Sequence, residues 1–128
     1  MLTLINTNTM QPAIAPVGID YVAGAAKQAD IEVDFVDLCL AGDREATLRD
    51  YFSKHNPQLV GLSFRNVDDC FWPSCQWFVP KLAEQINTIR KLTDSPIVLG
   101  GVGFSLFAPQ IVEYTKADFG IRGDGEQA

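Results

Sequence analysis

The stretch "PQLVGLSF", residues 57–64, is a continuous apolar run that ends at a serine and a phenylalanine. Strands that are covered on both faces have this character, because the side chains on either side meet other elements of the fold. The run therefore predicts a strand over residues 59–64 in the middle of a parallel sheet. The segments on either side of it define the rest of that sheet.

Four more strand patterns alternate with helical patterns along the chain. Strands are predicted near residues 2–6, 31–35, 96–100 and 119–122, and helices after Pro16, after Asp43, over 79–89 and over 106–115. The strand at 31–35 alternates apolar and acidic residues, which indicates an edge position. This alternation predicts an α/β fold: a flavodoxin-like (Rossmann-like) open parallel five-stranded sheet of order 2-1-3-4-5 with helices on both faces.

The composition suits one domain over residues 1–128, with 47% hydrophobic residues. The net charge of −6 argues against a nucleic-acid partner, because phosphate binding needs clustered Lys and Arg. No secretory signal and no apolar run of about 18 residues is present, so we expect a cytoplasmic protein without membrane contact. A doubly wound domain normally adds a helix after its fifth strand, so we expect the N-terminal piece of a longer protein.

The cysteines and the histidine do not form a reactive site in this prediction. Cys39, Cys70 and Cys75 are irregularly spaced, which favours partly buried free thiols over a disulfide framework or a metal site. His55, the single histidine, ends the second predicted helix and should lie far from the carboxyl ends of the strands. No catalytic residue and no metal ligand is therefore predicted.

Ligands of such sheets bind beyond the carboxyl ends of the strands, near the switch point between the first and third strands. Gly100, Gly101 and Gly103 follow the fourth strand there. Glycine permits a positive φ or a close backbone approach, so either a tight turn or a bound ligand explains them. A dinucleotide motif does not, because its glycines belong after the first strand.

The residues of these loops bear on three other possible functions. The hydroxyl-rich "NTNTMQPA" is similar to the phosphate loop of flavodoxins but lacks a glycine that lets amides converge on a phosphate, so an FMN or nucleotide module is the alternative. A phosphoacceptor domain is excluded, because Asn6 and Ser63 stand where it needs carboxylates. The aromatic residues Phe71, Trp72 and Trp77 also leave a ligand-free interaction domain open.

Three segments, "GLSFRNVDD", "PIVLGGVGFS" and "ADFGIRGDGE", resemble the N-terminal domain of cobalamin-dependent radical SAM enzymes. The resemblance spans nearly the whole chain. Ser63 and Gly100-Gly101 look like the serine and Gly-Gly elements of cobalamin-binding domains, and "GDGE" stands where the family usually has a GEGE-type turn. The DxHxxG motif, whose histidine ligates cobalt in other cobalamin domains, is absent from "NTNTMQPAIAPVGID".

The resemblance implies that the chain binds cobalamin without a histidine ligand. The dimethylbenzimidazole tail would pass beside the third and fourth strands, where Gly100 and Gly101 leave room, and Arg65 and Asn66 would lie beneath the corrin ring. The cofactor-binding residues implied in this way are Thr9, Gln11, Pro12, Ser63, Arg65, Asn66, Asp68, Gly100, Gly101, Gly103, Gly123 and Gly125.

The resemblance also implies a partner domain. The CxxxCxxC motif that holds a 4Fe-4S cluster is not in this sequence. The cluster and S-adenosylmethionine would therefore belong to a downstream radical SAM domain, and the present domain alone would not be catalytic. The implied reaction of the whole enzyme is methyl transfer to an unactivated carbon or a radical rearrangement.

Overall fold

A computed structural model describes residues 1–128 and contains one five-stranded parallel sheet. Its strand order is β2-β1-β3-β4-β5, which confirms the predicted order. The apolar strand β3 is central, as predicted, and it pairs with β1 on one side and β4 on the other. The strands are β1 (Leu2–Asn6), β2 (Val33–Asp37), β3 (Leu59–Ser63), β4 (Ile97–Gly100) and β5 (Phe119–Gly120).

Five helices connect or follow the strands. The side chain of Asp43 accepts a hydrogen bond from the Ala46 amide at 3.0 Å and so caps the second helix, as predicted. Pro80 lies in the first turn of the third helix, where its missing amide hydrogen has no cost. The helices are α1 (Val17–Gln28), α2 (Arg44–Lys54), α3 (Val79–Arg90), α4 (Val102–Leu106) and α5 (Ala108–Thr115).

Two predicted boundaries differ from the structure. The single helix expected over 106–115 is two helices, because Phe107 has a non-helical backbone and a new helix starts at Ala108 with Pro109 in its first turn. The fifth strand ends at Gly120 instead of residue 122. Its neighbour β4 ends at Gly100 and turns directly into α4, so residues beyond Ile121 have no strand to pair with.

The main hydrophobic core lies on one face of the sheet. Successive side chains of a strand point to opposite faces, so Ile5, Leu62 and Leu99 share this face. They belong to one buried cluster that also includes residues of α2, α3, α4 and α5. Four of the five helices therefore stabilise the sheet from this face.

The opposite face is only partly covered. Its central side-chain positions are Leu4, Gly61 and Val98, which are neighbours in the strand register. The helix on this side is α1, which contacts β1 and β2 and buries one residue, Ile19. The sheet surface above β3 and β4 is consequently open, and it forms one side of a groove.

All three cysteines are free; Cys39 is buried, whereas Cys70 and Cys75 are exposed, so the expected partial burial holds only for Cys39. No helix combines the length and the apolar character needed to cross a lipid bilayer.

Candidate functional site

A groove of about 570 Å³ opens at the carboxyl ends of β1, β3 and β4 and continues along the sheet face beside α1. Polar groups surround its mouth, and apolar side chains form its floor and the wall on α1. The floor consists of Leu4, Gly61 and Val98. The α1 wall includes Val17, Ile19 and Val22, and Ile14 lies beside it in the loop before the helix. The groove lies at the switch point of the sheet, where the fold rule places ligands.

The β1 side of the mouth is held by buried polar side chains. The side-chain amide of Asn6 donates from Nδ2 to Asp37 Oδ1 at 2.9 Å. Its oxygen Oδ1 accepts a hydrogen bond from the backbone amide of Asn8 at 3.2 Å. Asp37 Oδ1 also accepts from the Cys39 amide at 2.9 Å. These hydrogen bonds satisfy buried groups and fix the loop after β1, so this side of the site is preformed.

Two groups on the β3 side lack partners within the chain. The carbonyl of Ser63 accepts a hydrogen bond from Thr7 Oγ1 at 2.7 Å, but the Ser63 hydroxyl makes no hydrogen bond and lines the groove. Arg65 lines the groove as well, and its guanidinium takes part in no ion pair. The mouth thus offers a free hydroxyl and a free positive charge to a ligand.

The three glycines after β4 have different surroundings. A Cβ built on Gly100 would meet no atom closer than the Ile121 carbonyl oxygen at 3.9 Å, so this position is open. Gly101 has a φ of +100°, and a Cβ there would lie 2.7 Å from the Phe64 carbonyl oxygen. Gly103 is buried, and its Cβ would lie 2.6 Å from the Arg65 carbonyl oxygen.

Only Gly100 therefore fits the expectation of a glycine that leaves room for a ligand. Gly101 lines the groove too, but its positive φ and the adjacent Phe64 backbone require glycine whether or not a ligand binds. Gly103 does not line the groove, and it lets α4 approach the chain after β3.

The turn at 123–126 closes the far side of the groove. Gly123 has a φ of +89°, and its amide donates to Ser105 Oγ at 2.9 Å. Ser105 in turn donates to the Gly101 carbonyl at 2.9 Å, which ties the turn to the start of α4. A Cβ on Gly125 would lie 3.3 Å from Val22 Cγ2, so the turn reaches across to α1.

Six of the residues expected at the site lie outside the groove: Gly103, described above, and the five that follow. Thr9 and Asn66 line a small cavity near Phe78 that shares Asn8 and Arg65 with the groove, and the Asn66 amide contacts Met10 Sδ. Gln11 donates to the Cys39 carbonyl at 3.2 Å, which holds it against the loop after β2. Pro12 is exposed, and Asp68 belongs to the loop after β3.

That loop, residues 67–78, is shaped by its own aspartates. Asp68 accepts hydrogen bonds from the backbone amide and the thiol of Cys70, and the bond from the thiol together with the negative charge of Asp68 raises the pKa of that thiol. The Ser74 hydroxyl donates to Asp69 and lowers the pKa of that carboxyl. The aromatic side chains Phe71, Trp72 and Trp77 are exposed at its surface.

His55 lies at the opposite end of the sheet from the groove mouth. It caps the end of α2, just before β3 begins, and its ring stacks on Tyr51 at a centroid distance of 4.5 Å. Tyr51 donates to Asp34 at 2.9 Å, and burial raises the pKa of its hydroxyl to about 12. His55 is therefore part of a structural cluster at the amino ends of the strands.

The groove floor and the α1 wall were not singled out by sequence reasoning. The sequence patterns predict Leu4, Gly61 and Val98 as strand residues and Ile19 and Val22 as the apolar face of a helix, without a role in binding. One signal was available: Gly61 interrupts an otherwise bulky apolar strand, and a glycine inside a strand often marks a close approach of another group.

The arrangement suits the binding of a ligand along the groove. No three His, Cys, Asp or Glu side chains come together as a metal site would require. An elongated apolar floor below a polar mouth instead fits a ligand with one apolar end and one polar end.

Comparison with known proteins gives a consistent result. The family model described as "B12 binding domain" matches residues 4–128. Tryptophan 2-C-methyltransferase of Streptomyces laurentii is 37% identical over 127 residues, which are 98% of this chain and 21% of that protein.

Two solved structures agree with this match. Both are of the radical S-adenosylmethionine methyltransferase TsrM from Kitasatospora setae, one with cobalamin and a [4Fe-4S] cluster, the other with tryptophan and a SAM analogue. Each has a TM-score of 0.95 and 37% identity to this chain, of which it covers 98%. This chain covers 22% of the first and 23% of the second.

Proposed function

Since this chain belongs to the B12-binding domain family, we propose that its groove holds the nucleotide tail of cobalamin and that its mouth carries the corrin ring. The observation that carries this proposal is the groove beside β3 and β4, with Ser63 and Gly100 at its entrance. The FMN module and the ligand-free interaction domain are not favoured by the family match.

The residues of the groove fit such a ligand. Gly100 leaves its side-chain position open, and the unpaired Ser63 hydroxyl can bond a polar atom of the tail. Arg65, free of ion pairs, would lie at the mouth beneath the ring, as the family resemblance implies. The groove volume of about 570 Å³ is within the usual range of roughly 300–1,000 Å³ for small-molecule sites.

We propose further that no histidine of this chain ligates cobalt. The loop after β1 contains none, and His55 lies at the far end of the sheet. When bound, cobalamin supplies a cobalt centre that can accept and give up a methyl group. The role of this chain's own residues is to bind and orient the cofactor.

The chain spans about a fifth of the length of the relatives it matches. For the whole protein we propose a cobalamin-dependent radical SAM methyltransferase, with the 4Fe-4S cluster and S-adenosylmethionine held by a downstream domain. The relatives named above are methyltransferases, which favours methyl transfer over a radical rearrangement. The substrate would be bound outside the domain described here.

The test is a melting experiment on this chain with hydroxocobalamin and, separately, with FMN. A ligand in hundredfold excess over its dissociation constant stabilises the folded state by about 2.7 kcal/mol. For a domain of this size that raises the melting temperature by roughly 8–15 °C. We expect this rise with hydroxocobalamin and no change with FMN.

The opposite pattern, a rise with FMN and none with hydroxocobalamin, would refute the proposal. The visible absorption of the protein after gel filtration provides an independent readout, because only a bound corrinoid remains with the protein. Free riboflavin, which lacks the phosphate of FMN, is the control for nonspecific binding of a flat ring system.

A further inference from the structure

The groove floor includes a position of β3 that has no side chain, Gly61. Gly61 lies opposite Leu4 in β1 and Val98 in β4. A Cβ built on Gly61 would lie 2.7 Å from Leu4 Cδ2 and 3.8 Å from Val98 Cγ1. Any side chain at this position would therefore displace Leu4 or occupy the bottom of the groove.

The floor has no hydrogen-bonding group to offer a ligand. Leu4, Gly61 and Val98 present only carbon atoms to the groove. Their backbone groups lie in β1, β3 and β4, each of which pairs with a strand on both sides. A polar atom buried here would lose its water without gaining a new partner, which is unfavourable.

We infer that Gly61 is a specificity-determining residue of the groove. It sets the depth, and together with Leu4 and Val98 it selects a corrinoid whose tail ends in an apolar aromatic base, such as dimethylbenzimidazole. This inference rests on the proposed function, which places the nucleotide tail in the groove.

A tail that ends in adenine is disfavoured by the same floor. Adenine carries ring nitrogens and an amino group that would be buried unpaired, whereas dimethylbenzimidazole carries methyl groups at that edge. One unpaired buried polar group is enough to weaken binding by about tenfold. The chain therefore distinguishes between corrinoids by the chemistry of the base and not by the ring.

The experiment measures the dissociation constants of three probes by absorption titration: hydroxocobalamin, its adenine-tailed analogue, and cobinamide, which has the ring but no nucleotide tail. The wild-type chain is expected to bind hydroxocobalamin about tenfold or more tightly than the adenine analogue. Gly61→Val is expected to lower the affinity for hydroxocobalamin to that for cobinamide, and to leave the affinity for cobinamide unchanged.

The fold of the variant is checked by its melting temperature without ligand. Valine has a higher strand propensity than glycine, so ligand-free Gly61→Val is expected to melt at the same temperature as the wild type or above it.

Gly61→Ala is a milder variant, because the end of the flexible Leu4 side chain can move aside. Gly24→Ala is its matched control, since Gly24 has open space around it and does not line the groove.

The outcomes separate the inference from the proposed function. If Gly61→Val keeps wild-type affinity for hydroxocobalamin, or the wild type binds both tailed corrinoids equally, the inference is overturned while the proposed function stands. If the wild type binds none of the three probes, the proposed function fails and the inference with it. Should Gly61→Val not fold, a weaker affinity of Gly61→Ala than of Gly24→Ala supports the inference, and equal affinities overturn it.

Discussion

Gly101 lies against the backbone of Phe64, so close that a Cβ on Gly101 would be 2.7 Å from the Phe64 carbonyl oxygen. The same carbonyl accepts a hydrogen bond from the Phe104 amide at 3.2 Å, and the Phe64 amide donates to the Gly100 carbonyl at 2.8 Å. The chain after β3 and the start of α4 are thus joined through their backbones. This contact holds Ser63 and Gly100 together at the groove mouth.

The first prediction concerns Gly101→Ala. A residue with a Cβ is strained at a φ of +100°, and the added atom would collide with the Phe64 backbone, which cannot move aside like a side chain. We expect the free energy of unfolding, measured by urea denaturation, to fall by about 2 kcal/mol. Gly100→Ala is the control and should change stability little; equal stability of the two variants would contradict the contact described here.

The second prediction concerns binding through Gly100→Val. The side-chain position of Gly100 is open and lies in the groove, so valine should be tolerated by the fold and should occupy space that a ligand needs. We expect the ligand-free melting temperature to be nearly unchanged and the affinity for hydroxocobalamin to fall by about tenfold or more. A variant that folds and binds like the wild type would show that the tail does not pass Gly100.

The third prediction uses His55→Ala to test ligation. His55 stacks on Tyr51 at the amino ends of the strands, far from the groove mouth. We expect no change in the visible spectrum of bound hydroxocobalamin and no change in its dissociation constant. A spectrum typical of nitrogen-ligated cobalt that disappears in His55→Ala would refute the proposed histidine-free binding.

The fourth prediction is a pH dependence at Asp118. Its carboxylate accepts from the Ile97 amide at 2.7 Å and from Arg90 at 3.0 Å, and these contacts lower its pKa below the ordinary value of 3.8. A lowered pKa in the folded state contributes stability that is present above the unfolded value and is lost as the pH falls through the folded value.

Asp118→Asn keeps an oxygen that can accept from Ile97 but removes the charge opposite Arg90. We expect the variant to be less stable than the wild type by up to about 1 kcal/mol at neutral pH, because solvent screens this half-exposed pair. The difference in unfolding free energy should begin to shrink as the pH falls below 3.8 and should disappear once the pH is below the lowered pKa of the folded state. A difference that stays constant down to pH 2 would show that the ionised carboxylate is not its source.

Much of the fold followed from local patterns. The unbroken apolar run of β3 indicated a central strand, and the acidic alternation in β2 indicated an edge, where the structure places it. The boundaries near α4, α5 and β5 did not follow in the same way. They depend on where neighbouring strands end and on the backbone of Phe107, and no local periodicity encodes either.

The candidate site was predictable only in part. Ser63, Arg65 and Gly100 stand at strand ends, so topology alone placed them at one edge of the sheet, and the structure places them around one groove. Thr9 and Gln11 also follow a strand, yet their loop turns away toward the chain after β2 and the cavity near Phe78. The direction of a loop depends on the distant groups to which it bonds.

The sequence by itself determined the order of the strands, the edge of the sheet where the groove opens and the resemblance to cobalamin-binding domains, because each of these depends on residue types in chain order. Only the tertiary structure decided that Gly101 is required by the Phe64 backbone, whereas Gly100 and Gly61 leave space beside the groove. The amino-acid sequence shows the same residue type, glycine, at all three positions. The difference arises from atoms that approach it from residues far away in the chain, and only folding brings those atoms together.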